Sequence, residues 1–217
     1  MGKMPRFSFR EEKPESYWDE FLVDVVANYL PLIGFIVGSI LAGLIVWQLT
    51  YITGAIGVFL LSLCAAWALK RWFSYHHDFD ENRSVKSLVD EIKVSRVRSI
   101  PCTIEGEIIG RGVPGLFYSD DLVLRDNTGF MIVDYRQPLR IFEFLFGLMK
   151  AEELIGKKGK VMGWYRRAPR PYIELRKLEL DDGTKVTSYL YPVQQFFLYC
   201  GIVLGILLTV ASFVIGF

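Results

Sequence analysis

From Val25 to Leu69 the chain carries no Asp, Glu, Lys, Arg or His. As one helix it would reach roughly 65 Å at about 1.5 Å per residue, about twice the hydrocarbon thickness of a bilayer. The segment must therefore double back. Its polar punctuation, Gln48, Thr50, Thr53 and Gly54, places a tight turn there and predicts helices over about Leu30 to Trp47 and Ile52 to Phe73. A further uncharged stretch, Phe196 to Phe217, is long enough to span with some tilt. The pattern predicts a polar, cytoplasmic segment over 1–28, a transmembrane hairpin over 29–73 and a C-terminal transmembrane helix over 193–217.

Between the hairpin and the last span the periodicity changes twice. A polar connector over 74–100 contains the spacing Val85, Leu88, Val89, Ile92, which suits one short amphipathic helix. After Pro101, apolar and polar residues alternate. Cys102, Ile104 and Ile108 predict a strand broken by Gly106 and ended by Gly110-Arg111-Gly112, with a turn at Pro114-Gly115. Leu122–Arg125 and Phe130–Tyr135 predict a hairpin whose loop, Asp126-Asn127-Thr128-Gly129, has the residues that turns favour. Ile141 to Leu154 has apolar residues at helical spacing, with Gly156 placed to end it. Lys160–Tyr165 and Tyr172–Leu178 supply two more strands around a basic, proline-containing loop.

Three strands, a helix and two strands over 101–192 resemble the oligonucleotide and oligosaccharide binding (OB) fold, a five-stranded Greek-key barrel. The likeness rests on Gly106, on Leu124-Arg125-Asp126-Asn127-Thr128-Gly129, and on Lys160-Val161-Met162-Gly163. Both Gly106 and Gly163 permit the bending that a small barrel demands of its strands. The fold expected is thus three transmembrane helices plus an OB-like barrel with a helix between its third and fourth strands.

The formal net charge is +1, with 25 basic against 24 acidic side chains, so the whole chain has no excess basicity that points to nucleic acid. Local charge is more informative. Lys3, Arg6, Arg10 and Lys13 precede the first span, and Lys70 and Arg71 follow the second, whereas the hairpin turn has none. Positive residues near span ends stay on the cytoplasmic side, which puts the barrel in the cytoplasm and the extreme C-terminus outside. The N-terminal segment lacks the pattern of a cleaved signal peptide, so the first span is expected to be retained. Gly34 with Gly38, Gly38 with Ala42, and Gly201 with Gly205 are small residues four apart, which either arise by chance or let helices pack closely, within the chain or between copies.

Cys64, Cys102 and Cys200 form no CxxC pair, and neither a disulfide nor a zinc site is expected. His76 and His77 are adjacent, so they point to different sides and lack metal-ligand spacing. Gly110-Arg111-Gly112-Val113-Pro114-Gly115 has a proline where a phosphate-gripping helix would start, and it is read as a turn. Glu105 and Glu107 share a strand face, where solvated carboxylates are the ordinary case. No catalytic residue, cofactor or metal is expected.

Two features compete seriously for function. Trp164, Tyr165, Arg166, Arg167, Arg170 and Tyr172 combine stacking surfaces with guanidinium groups between the last two strands, where this fold often takes ligands, and Arg111 and Arg136 add to that basic set. They suit anionic lipid headgroups, an acidic protein surface or single-stranded nucleic acid, or merely solvate a barrel rim. Tethering at both ends favours lipids and membrane proteins and ranks nucleic acid last. The second feature is the helix bearing Ile141, Phe142, Phe144, Leu145, Phe146, Leu148 and Met149, too short to span and too apolar for one buried face. Phe142, Phe144, Phe146 and Met149 are its candidates for contact with lipid or a partner, the alternative being simple capping of the barrel.

A narrower resemblance lies in Ile109-Gly110-Arg111-Gly112-Val113-Pro114-Gly115, Asp134-Tyr135-Arg136-Gln137-Pro138-Leu139 and Gly163-Trp164-Tyr165-Arg166-Arg167-Ala168-Pro169. These motifs resemble the C-terminal membrane extension of some HtpX-type membrane zinc metalloproteases. The resemblance implies a place near membrane-protein quality control in a prokaryotic plasma membrane. The chain lacks the His-Glu-x-x-His helix by which such a protease holds zinc. The function expected is that of a non-catalytic, membrane-anchored adaptor or regulatory module whose partner is a membrane protease or its substrate. The alternative is a polyanion-binding module for lipid headgroups or single-stranded nucleic acid.

Overall fold

The computed structural model describes residues 17–49, 52–79, 82–91, 94–95, 97–112, 121–167 and 170–215. Three helices are long and apolar enough to cross a membrane, over Val26–Trp47, Ile52–Ser74 and Leu190–Val214. The chain is a membrane protein. Helix α1 (Tyr17–Leu49) starts well before its span, so residues 17–28, expected to be a polar flank, continue the helix instead. No glycine or proline interrupts Tyr17 to Leu30, and backbone hydrogen bonding does not stop where hydropathy changes. Helix α2 (Ile52–Ser74) follows so closely that Thr53 and Gly54 lie inside it, and Thr50 falls outside the described residues.

Helix α2 is the middle of the bundle, packed on α1 and on α5 (Leu190–Ile215). In lipid there is no hydrophobic drive between helices, so close van der Waals packing must hold them together. Glycine supplies it on both sides. A Cβ on Gly38 would lie 3.1 Å from Phe59 and Ser62, and one on Gly34 would collide with Ala66. On the other side a Cβ on Gly201 would lie 2.7 Å from the Cys64 sulfur, and one on Gly205 would lie 2.8 Å from Leu61. These glycine faces are engaged by helices of the same chain.

Between α2 and α5 come α3 (Val85–Asp90), β1 (Ile100–Arg111), β2 (Leu122–Arg125), β3 (Phe130–Asp134), α4 (Arg140–Met149), a 3-10 turn (Glu152–Leu154), β4 (Lys158–Arg166), β5 (Tyr172–Leu180) and β6 (Lys185–Thr187). The strand order is β3-β2-β1-β4-β5-β6, and a parallel pairing of β3 with β5 closes the first five into a barrel. This is the expected OB-like barrel with α4 between the third and fourth strands, plus one further strand on its edge.

The break expected at Gly106 does not occur. β1 runs straight through, pairing with β4 up to Glu107 and with β2 from Glu107 onward. Gly106 is the corner where the strand passes from one neighbour to the other, and a Cβ there would sit 2.5 Å from the Arg125 carbonyl oxygen. Gly163 plays the same part at the β4 bulge, where its missing Cβ makes room for the Glu174 carbonyl. Inside the barrel Ile104, Ile108, Leu124, Val133, Tyr165, Ile173 and Leu178 form one core, which Leu88 of α3 and Phe146 of α4 join. The 3-10 turn leads to Gly156, whose φ of 81° suits glycine.

The β2–β3 loop also caps α3. The Asp126 carboxylate accepts from the Val85 N–H (2.8 Å), the Thr128 N–H (2.6 Å) and the Gly129 N–H (2.8 Å). Burial pushes its pKa up, but the donors from Val85, Thr128 and Gly129 outweigh that and hold it below the usual carboxylate value. The Pro114-Gly115 turn lies outside the described residues.

Two outcomes are expected in thermal unfolding of the detergent-solubilised protein. Gly163→Ala should cost about 1–3 kcal/mol because backbone lies in the way, whereas Gly110→Ala, with nothing within 4 Å, should leave Tm nearly unchanged. Asp126→Ala should cost about 0.5–2 kcal/mol, as lost caps do. Its folded-state pKa is lowered, so this stabilisation is complete above the unfolded value near 3.9 (about 4) and lost as pH falls through the folded one. The gap in Tm between wild type and variant should therefore close on acidification.

Candidate functional site

The basic loop predicted between the last two strands does not exist as a common surface. β4 extends to Arg166, one residue beyond the predicted strand end, and strand alternation sends its last side chains to opposite sides. Tyr165 points into the barrel core and is fully buried. Trp164 and Arg166 lie on the outer wall, also buried, at 1% and 5% exposure. Arg167 is exposed and donates to the Glu91 carbonyl at 3.0 Å, and Arg170 is exposed and pairs with Asp121 at 3.3 Å. Arg111 donates to the Gly147 carbonyl at 2.7 Å and so ties α4 to the end of β1. Arg136 pairs with Asp134 at 2.6 Å and stands 5.9 Å over the half-buried Tyr172 ring. Residues 168 and 169 lie outside the described residues.

Trp164 and Arg166 are covered because the barrel wall is pressed against the ends of the membrane helices. The Trp164 ring meets Tyr75, Phe79 and Tyr191 at 4.8, 5.3 and 5.2 Å, and its indole N–H donates to the His76 carbonyl at 2.7 Å. Arg166 donates to Glu174 at 2.8 Å, both side chains being almost fully buried. The second Glu174 oxygen accepts from the Tyr75 hydroxyl at 3.0 Å. Burial first, then the Glu174 charge, drives the Tyr75 phenol well above its ordinary pKa, against the pull of Arg166 and Arg71. It remains a neutral donor.

From the membrane side comes Arg71, in the last turn of α2 and itself buried. It donates to Gln194 Oε1 at 2.7 Å and to the Tyr191 carbonyl at 3.2 Å, both at the start of α5, and stacks over the Tyr191 ring at 4.3 Å. The Tyr191 hydroxyl in turn meets His77 Nε2 at 2.9 Å. His76 and His77 side chains are exposed, as the connector reading expected. The sequence used Arg71 only to mark orientation and did not single out Tyr75, Glu174, Tyr191 or Gln194. Their partners lie about a hundred residues away, which no local spacing reveals.

The expected contact helix divides. Phe146 is buried against Tyr135, ring centroids 4.0 Å apart, so it belongs to the core rather than to a contact surface. Phe142, Phe144 and Met149 are exposed, together with Ile141, Leu145 and Leu148. Phe142, Leu145 and Met149 line a groove of about 770 Å³ with Tyr135, Gln137 and Tyr189. Its position is fixed by Gln137, which donates to the Thr187 carbonyl at 2.9 Å and accepts from the Tyr189 N–H at 3.2 Å. Tyr189 immediately precedes the span that begins at Leu190. The groove therefore opens at the foot of α5, beside the membrane.

Comparison with protein-family models, curated proteins and solved structures gives no match for this chain.

Removing one partner of a buried ion pair leaves the other charge stranded. Glu174→Ala should cost about 3–5 kcal/mol, read as a fall in Tm, and the double change Arg166→Met with Glu174→Leu should recover most of it. A double variant no more stable than Glu174→Ala would mean that the pair does more than fill space.

Proposed function

We propose that this protein is a non-catalytic membrane adaptor whose barrel offers the apolar face of α4 to another integral membrane protein. The reading rests chiefly on one observation: six large apolar side chains of α4 are exposed, three of them, Phe142, Leu145 and Met149, on a groove that adjoins the entry of α5 into its span. Single exposed apolar residues are ordinary, but a contiguous face of this kind marks an interaction site. The groove lies beside the start of the third span, a position that favours a membrane-bound partner. The clamp from Arg71 to Arg166 supports the reading, because a module that presents a surface gains from being held at one orientation.

The barrel faces the cytoplasm in this reading, since Lys70 and Arg71 stand at its end of the bundle while the opposite turn carries no basic residue. The motifs similar to those of HtpX-type protease extensions point to a membrane protease, or a protein on its way to one, as the class of partner. The host membrane is then the plasma membrane of a prokaryote.

A photo-crosslinking residue at Met149 tests the adaptor, with one at Phe130, equally exposed but on the β2–β3 hairpin, as control. In native membranes Met149 should link to one membrane protein that also co-purifies in mild detergent, and Leu145→Lys should abolish both without lowering Tm. A chain that emerges alone, linked only to itself or to lipid, would refute the proposal. For sidedness, a cysteine at the exposed Asp182 should react with an impermeant reagent only after cells are opened.

A further inference from the structure

The junction also holds a second, open cavity of about 380 Å³, lined by residues near the ends of all three spans and by the barrel. Four cations line it, Lys70, Arg71, Arg136 and Arg166, against one carboxylate, Glu174. Two of the four are compensated: Arg166 by Glu174 at 2.8 Å and Arg136 by Asp134 at 2.6 Å. The other two are not. Arg71 is 7% exposed, and its partners are an amide oxygen, a backbone carbonyl and two tyrosine rings, none of them an anion. Lys70, half-buried beside it, makes no hydrogen bond or ion pair among the described residues.

A buried cation with no counter-charge is costly, and a second cation next to it raises the cost. Among the described residues Glu174 is the one carboxylate on the cavity, so an anion from outside the chain would meet both cations there. The position of the cavity narrows its source. Asn28 lies two residues inside the first span, Trp67 and Lys70 are in the last two turns of the second, and Gln194 is in the first turns of the third. Trp67, Trp72 and Tyr29 are exposed at this same end of the bundle, as aromatic side chains are at the headgroup level of a bilayer.

We propose that the junction cavity binds the phosphate of an anionic membrane lipid, held by Lys70 and by the free donors of Arg136 in the field of the uncompensated Arg71. The volume falls within the range of small-molecule sites and suits a headgroup rather than a whole lipid, whose acyl chains would run down the bundle past Trp67. Occupancy would neutralise the membrane side of the clamp, so the lipid would also stiffen the attachment of the barrel.

The test uses the full chain in mixed micelles of phosphatidylcholine and phosphatidylglycerol, with retained lipid counted by native mass spectrometry. Wild type should keep one phosphatidylglycerol in preference to phosphatidylcholine. Lys70→Gln, which removes no contact among the described residues and should keep its Tm without lipid, should weaken that retention about fivefold. Lys86→Gln, an exposed change on α3, should leave it unaltered. Equal retention by wild type and Lys70→Gln, or equal loss in both variants, would overturn the site. Displacement of the lipid by inorganic phosphate would overturn its assignment to a membrane source.

Discussion

A guanidinium buried where three apolar helices end needs hydrogen-bond acceptors from the protein around it, and Arg71 is such a group. It takes its acceptors from the first turns of α5 and rests its planar face on Tyr191 and Tyr75. Tyr75 then carries the connection to Glu174 and so to Arg166 on the barrel wall. Hydrogen bonds and the stacking of Arg71 on Tyr75 thus join the end of the second span, the start of the third and the fourth and fifth strands. Arg71, Glu174 and Arg166 are buried, and losing a partner of any of the three leaves a charge shielded from water. That is why the barrel sits against the bundle in one orientation although only short connectors tie it there.

The rest of the architecture is governed by how closely backbones approach. In the bundle, glycines of α1 and α5 bring both helices onto α2, where dispersion contacts replace the hydrophobic drive that lipid removes. In the barrel, Gly106 and Gly163 let one strand pass another's carbonyl at distances no side chain tolerates. The same residue type serves a membrane bundle and a soluble barrel because both must be tight where their elements cross.

With the frame rigid, what stays open is informative. The barrel buries the side chains that looked ready for a ligand, Trp164 and Arg166, and uses them as glue. It leaves the apolar face of α4 exposed at the foot of α5, and it gathers Lys70 and Arg71, which have no anionic partner among the described residues, on one cavity. The exposed apolar face and the cation-lined cavity therefore flank the same clamp.

Much of this was legible in the residues themselves. Charge-free runs of membrane length determine the three spans, because no water-soluble fold accommodates them, and alternation with turn chemistry determines the strands and α4. The short edge strand β6 escaped, since three residues with one buried side chain carry no period, although Asp182-Gly183 marked the turn before it. Local patterns report which way a side chain faces relative to its own element. They do not report what covers that face. Trp164, Tyr165, Arg166 and Tyr172 read as an exposed basic and aromatic loop until the closed barrel met the bundle, and Arg71 read as a topological marker until α5 returned beside it. Those outcomes depend on pairings across about a hundred residues, which only tertiary structure creates.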